Sequence, residues 1–212
     1  MVFWILWIIV TPFLLLFMPT RIIGKKHIKK IKKQGAILAC NHQSIYDAFI
    51  LKTQVKPGFK MMAKEELFKS KFTAWLMTRL GAYPVKRGAS DISAVKKTLG
   101  YLKDNKQIVI FPEGTRGKTG DLSELKNGLV MFALRTDCYV VPAIFRKKPR
   151  WFTFNTLLID KPFKFSDFED FKGVKPDHDL LEKASKILSD KMQYLKDVKV
   201  KDFKKEIKKT NY

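Results

Sequence analysis

The stretch "AILACNHQSIYD", residues 36–47, sets an unbroken apolar run directly against a polar loop that carries a histidine and, five positions later, an aspartate. The run reads as a short strand. His42 and Asp47 have the types of a base and the carboxylate that orients it, although in a chain with 20 acidic residues this spacing is also open to coincidence. A second apolar run, "QIVI", opens into "FPEGTRG" at residues 111–117. In open α/β sheets ligands gather beyond the carboxyl ends of strands, so two such loops face the same crevice.

Working outward, strand and helix patterns alternate. Apolar runs at residues 36–40, 59–63, 82–86, 107–111, 139–145 and 151–159 predict strands. Between and after them, residues 64–81, 90–105, 125–137 and 179–195 carry apolar positions at helical spacing, with Ser90 or Asp91 as a cap and Gly81 as a stop. Such alternation implies an α/β fold: a largely parallel mixed sheet flanked by helices. Residues 196–212 are lysine-rich with sparse apolar positions. They read as a basic C-terminal tail, solvated or membrane-facing, with a short amphipathic helix as the other possibility.

The composition bounds the partners. Lys and Arg number 42 against 20 Asp and Glu, a formal charge of +22, which calls for an anionic partner: nucleic acid, an anionic membrane or a phosphorylated substrate. The N-terminus decides among them. "MVFWILWIIVTPFLLLFMP" is uncharged from Val2 to Pro19 and, as a helix, reaches about 27 Å, close to the thickness of a hydrocarbon core. Trp4 and Trp7 suit the membrane interface, and Pro12 would kink or break a helix there. No basic stretch precedes the run and no small-residue cleavage site follows, so it is not read as a signal peptide. Arg21, Lys25, Lys26, Lys29, Lys30, Lys32 and Lys33 follow at once. By the positive-inside rule they place the rest of the chain on the cytoplasmic side of the cell membrane. The reading is therefore a hydrophobic membrane anchor at 1–20 and a basic interfacial collar at 21–35, with anionic membrane lipids as partners and no nucleic acid. Cys40 and Cys138 fall in apolar runs and read as buried free thiols; no CxxC or zinc-type spacing occurs, and no metal site is expected.

The loops carry the chemistry. In "FPEGTRG", Pro112 and Gly114 force a turn and Gly114 and Gly117 expose backbone N–H groups. Arg116 offers a planar fork to a phosphate or carboxylate, with Glu113 placed to hold it. An isolated loop of this kind is equally an ordinary tight turn with a surface ion pair. Lys86 and Arg87, before Gly88, are either a second phosphate clamp or a solvated strand end.

Together these pieces resemble the glycerolipid acyltransferase family with the H-x4-D motif, typified by 1-acyl-sn-glycerol-3-phosphate acyltransferase. Its blocks stand here in order as Asn41–Asp47, Gly81–Arg87, Phe111–Arg116 and Val141–Ile144, within residues 21 to 160. Lys64 in "KEEL" and Lys126-Asn127-Gly128 look like further family features, and Gly117 departs from the serine common there. The resemblance implies an acyltransferase domain at 36–195 that transfers a fatty acyl group from acyl-CoA or acyl carrier protein to the free hydroxyl of 1-acyl-sn-glycerol 3-phosphate, giving phosphatidic acid. His42 would be the general base and Asp47 its orienting partner. Arg116, Arg87 and Lys64 would bind the acceptor's phosphate, with Glu113, Gly114, Thr115 and Lys126 as the supporting loop. Backbone N–H groups around Gly114 are the expected oxyanion donors. No metal or prosthetic group is implied. Within the fold the alternative acceptor is glycerol 3-phosphate or another lysolipid. Outside it, the alternative is a non-enzymatic basic protein bound to nucleic acid or anionic lipid, which fits the charge but not the two converging loops. Cys40 offers a rival route through an acyl-cysteine. His27 and His178 have no paired motif and read as surface residues.

Overall fold

β2 (Ala36–Cys40) is buried at all five positions, and that requires cover on both faces of the sheet. The computed structural model describes residues 11–56, 58–86, 91–117, 122–174 and 176–209. Its sheet joins β2 to β1 (Thr20–Ile23), β3 (Lys60–Lys64), β4 (Ala82–Val85), β5 (Gln107–Ile110), β6 (Tyr139–Phe145) and β7 (Asn155–Ile159). The order is β1-β7-β6-β2-β5-β3-β4. All pairings are parallel except β6 with β7. β2 sits centrally between β5 and β6. Its carboxyl end and that of β5 therefore open side by side.

The period-2 alternation of β2 feeds two cores. Ile37 and Ala39 face α5 (Ile92–Lys103), α6 (Gly128–Thr136), α7 (His178–Asp197) and α8 (Val200–Lys209), through Leu102, Phe132, Leu188 and Phe203 among others. Ala36, Leu38 and Cys40 face the opposite side. That side is covered by the helical residues 11–17 (α1), α2 (Lys25–Lys30), α3 (Ile45–Ile50) and a π turn, Leu51–Val55. The helix expected at 64–81 is two pieces, a 3₁₀ turn Glu65–Phe68 and α4 (Lys71–Arg79). Ser70 restarts the chain as an N-cap, its hydroxyl accepting the Thr73 N–H at 3.3 Å. α5 is capped by Asp91, whose carboxylate accepts the Ala94 N–H at 2.9 Å.

Both ends of the chain depart from expectation. The collar at 21–35 is built into the fold: β1 pairs in parallel with β7, and α2 buries Ile28. Gly24, at φ 89°, makes the turn between β1 and α2, where a Cβ would lie 1.9 Å from the Ile159 carbonyl oxygen. The packed domain thus begins upstream of residue 36. At the other end, the expected tail is α8, with Phe203 only 1% exposed. Val200, Phe203 and Ile207 recur at helical spacing and form one apolar stripe, enough to seat a helix whose other positions are lysines apart from Asp202 and Glu206. Lys26 Nζ donates to the Ile207 carbonyl at 2.8 Å and ties the two ends together. Residues 1–10 of the expected anchor lie outside the described residues. Among the described residues, no helix is long and apolar enough to cross a membrane.

His27 is not a surface residue. It is 2% exposed, and Nδ1 lies 3.2 Å from the Ile159 carbonyl oxygen, an acceptor only. Nδ1 therefore carries the proton, and Nε2 is buried without a partner among the described residues. Burial holds this imidazole below its usual pKa, outweighing the Ile159 carbonyl. Because the folded value is depressed, the unfolded chain takes up a proton that the folded chain resists as pH falls below about 6.5. Stability should therefore drop in mildly acidic solution. A His27→Gln variant, which keeps a donor for Ile159, should show a shallower decline between about pH 7 and pH 5, by at most one proton's worth of slope. Urea midpoints across that range measure it, and identical slopes would show that His27 binds its proton equally well folded and unfolded.

Candidate active site

The loop after β2 is organised by three side chains that turn back on the backbone. Asn41 takes the place of a ladder residue: Nδ2 donates to the Phe145 carbonyl at 3.1 Å and Oδ1 accepts the Phe145 N–H at 2.7 Å. Ser44 caps α3 in a capping box whose third helical residue is Asp47. The Asp47 carboxylate therefore points back over the helix N-terminus, where Oδ2 accepts the N–H groups of Gln43 and Ser44, both at 2.7 Å. The same oxygen lies 2.9 Å from His42 Nδ1. The five-residue offset is thus geometric: a capping aspartate at N3 reaches back across the cap to the residue two before it. Asp47 is fully buried, and the helix N-terminus favours its negative charge. An oxygen already accepting two backbone N–H groups acts as an acceptor, so Nδ1 carries the proton and Nε2 presents its lone pair.

The loop after β5 fixes what remains of His42. The Gly114 N–H donates to the Phe111 carbonyl at 3.0 Å and closes a tight turn, with Gly114 at φ 71°. A Cβ at Gly114 would lie 2.9 Å from Lys126 Cε, so the Lys126 stem lies against that glycine. Glu113 is buried, and its Oε1 accepts the His42 N–H at 3.0 Å while Oε2 accepts the Ser123 N–H at 3.4 Å. The Gly117 N–H donates to the His42 carbonyl at 2.8 Å. Phe111 stacks on the imidazole, centroids 4.1 Å apart and 17° from parallel. Backbone N–H, backbone carbonyl, ring face and Nδ1 are all held. The side chain remains 14% exposed, and Nε2 has no partner among the described residues.

Several assignments change. Glu113 does not hold Arg116; it turns inward, because the buried His42 N–H needs an acceptor. Arg116 and Thr115 are exposed, and Arg116 has no carboxylate partner among the described residues. The Gly114 and Gly117 N–H groups are engaged within the loops, so neither is a free oxyanion donor. Lys64 ends β3 on the same side of the sheet as the β5 loop, exposed, and Lys126 is also exposed. Lys86 sits 3.9 Å from Glu65 as a surface pair. Arg87 lies outside the described residues. Cys40 is fully buried, and burial pushes its thiol well up, with the carboxylates of Asp47 and Glu113 adding to the rise. It stays a neutral packing group rather than a thiolate. Asn41 and Ser44 were legible only as loop residues, and Phe111 as the end of a predicted strand. The Ser44-x-x-Asp47 spacing is the one signal that could have placed Asp47 beforehand.

A model of the acyltransferase family matches residues 20–146, from β1 through the end of β6. The chain belongs to the acyltransferase family. The matched region includes both loops, with Lys64, Arg116 and Lys126. Similar proteins include a chloroplastic 1-acyl-sn-glycerol-3-phosphate acyltransferase of Arabidopsis thaliana, 35% identical over 109 residues, which are 50% of this chain and 30% of the relative. The 1-acyl-sn-glycerol-3-phosphate acyltransferase of Bacillus subtilis is 33% identical over 113 residues, 53% of this chain and 56% of that protein. The chain thus spans less than two thirds of the length of these relatives. In fold it resembles the crystal structure of the 1-acyl-sn-glycerophosphate (LPA) acyltransferase PlsC from Thermotoga maritima, with a TM-score of 0.62 at 23% identity, covering 84% of this chain and 73% of that one. The acyltransferase fold seen there is the α/β architecture described above.

Proposed function

We propose that this acyltransferase moves a fatty acyl group from a thioester donor, acyl-CoA or acyl carrier protein, to the free hydroxyl of 1-acyl-sn-glycerol 3-phosphate. The observation that carries the reading is His42, its main chain held by Glu113 and Gly117 and its imidazole by Asp47 and Phe111, with Nε2 open. An alcohol is a weak nucleophile at neutral pH, and a fixed neutral imidazole is the group that activates it. Nε2 takes the hydroxyl proton as the oxygen attacks the thioester carbonyl carbon. Asp47 stabilises the imidazolium that forms. The tetrahedral intermediate collapses with cleavage of the C–S bond, and the thiolate leaves and takes the proton back from Nε2. The Thr115 and Arg116 N–H groups, which donate to no protein atom among the described residues, are the loop's remaining candidates for oxyanion donors. No metal or prosthetic group enters these steps. The names of relatives 35% and 33% identical to this chain support the choice of acceptor.

Arg116, with Lys64 and Lys126 on the same rim and Arg87 from the segment that follows β4, binds the acceptor's phosphate. Lysine at 116 keeps the charge and loses the bidentate fork. Arg116→Lys should therefore raise the Michaelis constant for the acceptor about tenfold or more, with the donor constant little changed. A change confined to the donor would remove Arg116 from the phosphate site.

The enzyme works at a membrane, facing the cytoplasm, with the uncharged run from Val2 to Pro19 as its anchor and the basic residues behind it set toward anionic lipid. Leu14 and Met18 within that run pack into the core, so only its outer face can meet lipid. Exposed Phe13 and Leu16 on α1 support this placement. The test is transfer from a labelled thioester to a panel of lysophospholipids and glycerol 3-phosphate. Preference for lysophosphatidate is expected. Preference for glycerol 3-phosphate would move the chain to the earlier acylation, and no transfer to any acceptor would overturn the reading.

A further inference from the structure

The hairpin between β6 and β7 carries surface that neither the fold nor the proposed chemistry uses. Phe152 and Phe154 are 79% and 86% exposed. Lys147, Lys148 and Arg150 are exposed beside them, without a carboxylate partner among the described residues. Phe152 adopts φ 57°, a left-handed backbone that a bulky side chain rarely takes. Specific bonds hold it there. The Phe152 N–H donates to the Phe17 carbonyl at 2.7 Å, the Asn155 N–H to the Pro19 carbonyl at 2.9 Å, and Asn155 Oδ1 accepts the Arg150 N–H at 3.0 Å. The hairpin is thus locked onto the end of α1 with its tip turned outward. Strained backbone and two rings left mostly in water both cost free energy, and the single ring contact of Phe152, on Phe17, leaves most of that surface uncovered.

The patch is continuous with the rim of the candidate active site. Phe152 meets Phe17 edge-on at 5.4 Å, and Trp151 lies 5.7 Å from Phe13 and 5.4 Å from Tyr46. Tyr46 is the residue before Asp47 on α3. Phe13 and Leu16, 51% and 73% exposed, extend the apolar surface along α1.

We propose that the β6–β7 hairpin is a membrane-insertion element distinct from residues 1–20, seating Phe152 and Phe154 among the acyl chains of an anionic leaflet. Lys147, Lys148 and Arg150 meet the headgroups. This deepens, and rests on, the reading that the acceptor is a bilayer lipid. An aromatic tip flanked by cations matches an apolar layer beneath negative headgroups. A second copy of the chain would instead bring two clusters of like charge together. Insertion here would hold the rim of the candidate active site beside Tyr46 at the depth where the acceptor's hydroxyl lies.

The test uses the full chain carrying Thr153→Cys, labelled with an environment-sensitive fluorophore; Cys40 and Cys138 are buried, which directs the label to position 153. With phosphatidylglycerol vesicles, and neither acceptor nor thioester present, the probe should report an apolar surrounding. With phosphatidylcholine vesicles the response should be weaker. In a second arm, Phe152→Ser/Phe154→Ser should lower transfer to vesicle-borne lysophosphatidate about tenfold and leave transfer to a short-chain soluble analogue unchanged. A probe that stays in water while the protein sediments with anionic vesicles overturns the proposal. So does a signal that needs no vesicles and grows with protein concentration, which would make the patch a face between copies, and so do equal losses on both acceptors. A chain inactive on both acceptors whose probe nonetheless enters the bilayer would sustain the insertion and overturn only the acyl-transfer reading.

Discussion

Replacing His42 with alanine is expected to lower turnover by about 10²- to 10⁴-fold, the usual range for a lost general base. The variant should fold, because the loops grip the His42 main chain rather than its ring: Glu113 takes its N–H and Gly117 donates to its carbonyl. What disappears is the Nε2 lone pair and the stack on Phe111. Turnover in single-turnover format, beside a thermal unfolding midpoint, separates chemistry from stability. Near-normal turnover in a folded His42→Ala enzyme would falsify the mechanism. Cys40→Ala is the companion variant. Its thiol is buried and held protonated, so most activity should survive. Complete loss in a folded Cys40→Ala enzyme would restore the acyl-cysteine route.

Asp47→Asn should cost a comparable factor, about 10²- to 10⁴-fold, for a different reason. The Gln43 and Ser44 N–H groups both point at the Oδ2 position, so the amide oxygen must sit there. The Nδ1–H of His42 keeps an acceptor, but the negative charge that stabilises the imidazolium is gone. The amide NH₂ is then forced to the Oδ1 position, where no acceptor exists among the described residues, a further destabilising element. Asp47→Ala adds the loss of the α3 cap, on the order of 1 kcal/mol. The expected pattern is that both variants lose turnover and both lower the unfolding midpoint, asparagine through its unpaired NH₂ and alanine through the lost cap. An asparagine enzyme within a few-fold of the parent would show that the carboxylate serves the helix and not the chemistry.

The two loops were legible because each follows an apolar strand-like run and their reactive residues are closely spaced. His42 and Asp47 lie within one helical cap, so local geometry alone brings them together, and the apolar runs before each loop marked the strands that aim them. Glu113 was misread for the opposite reason. Its nearest cation in sequence is Arg116, but its partner is a backbone N–H 71 residues away, and only the adjacency of β2 and β5 supplies that contact. β1 was hidden in the basic collar because its pairing with β7 joins residues more than 130 positions apart. His27 was misread because a histidine among lysines looks solvated, whereas the turn of α2 under β7 points it inward.

The sequence by itself determined the alternation of layers, the two loops at strand ends and the pairing of His42 with Asp47, since each depends on periodicity or on contacts within a few residues. Tertiary structure decided the rest. It brought Glu113 and Gly117 onto the His42 main chain, buried His27, seated α8 against the core, and fixed an aromatic hairpin on the end of α1. Each of those outcomes depends on which strands lie side by side, and strand order is set by the packing of the whole sheet rather than by any segment within it.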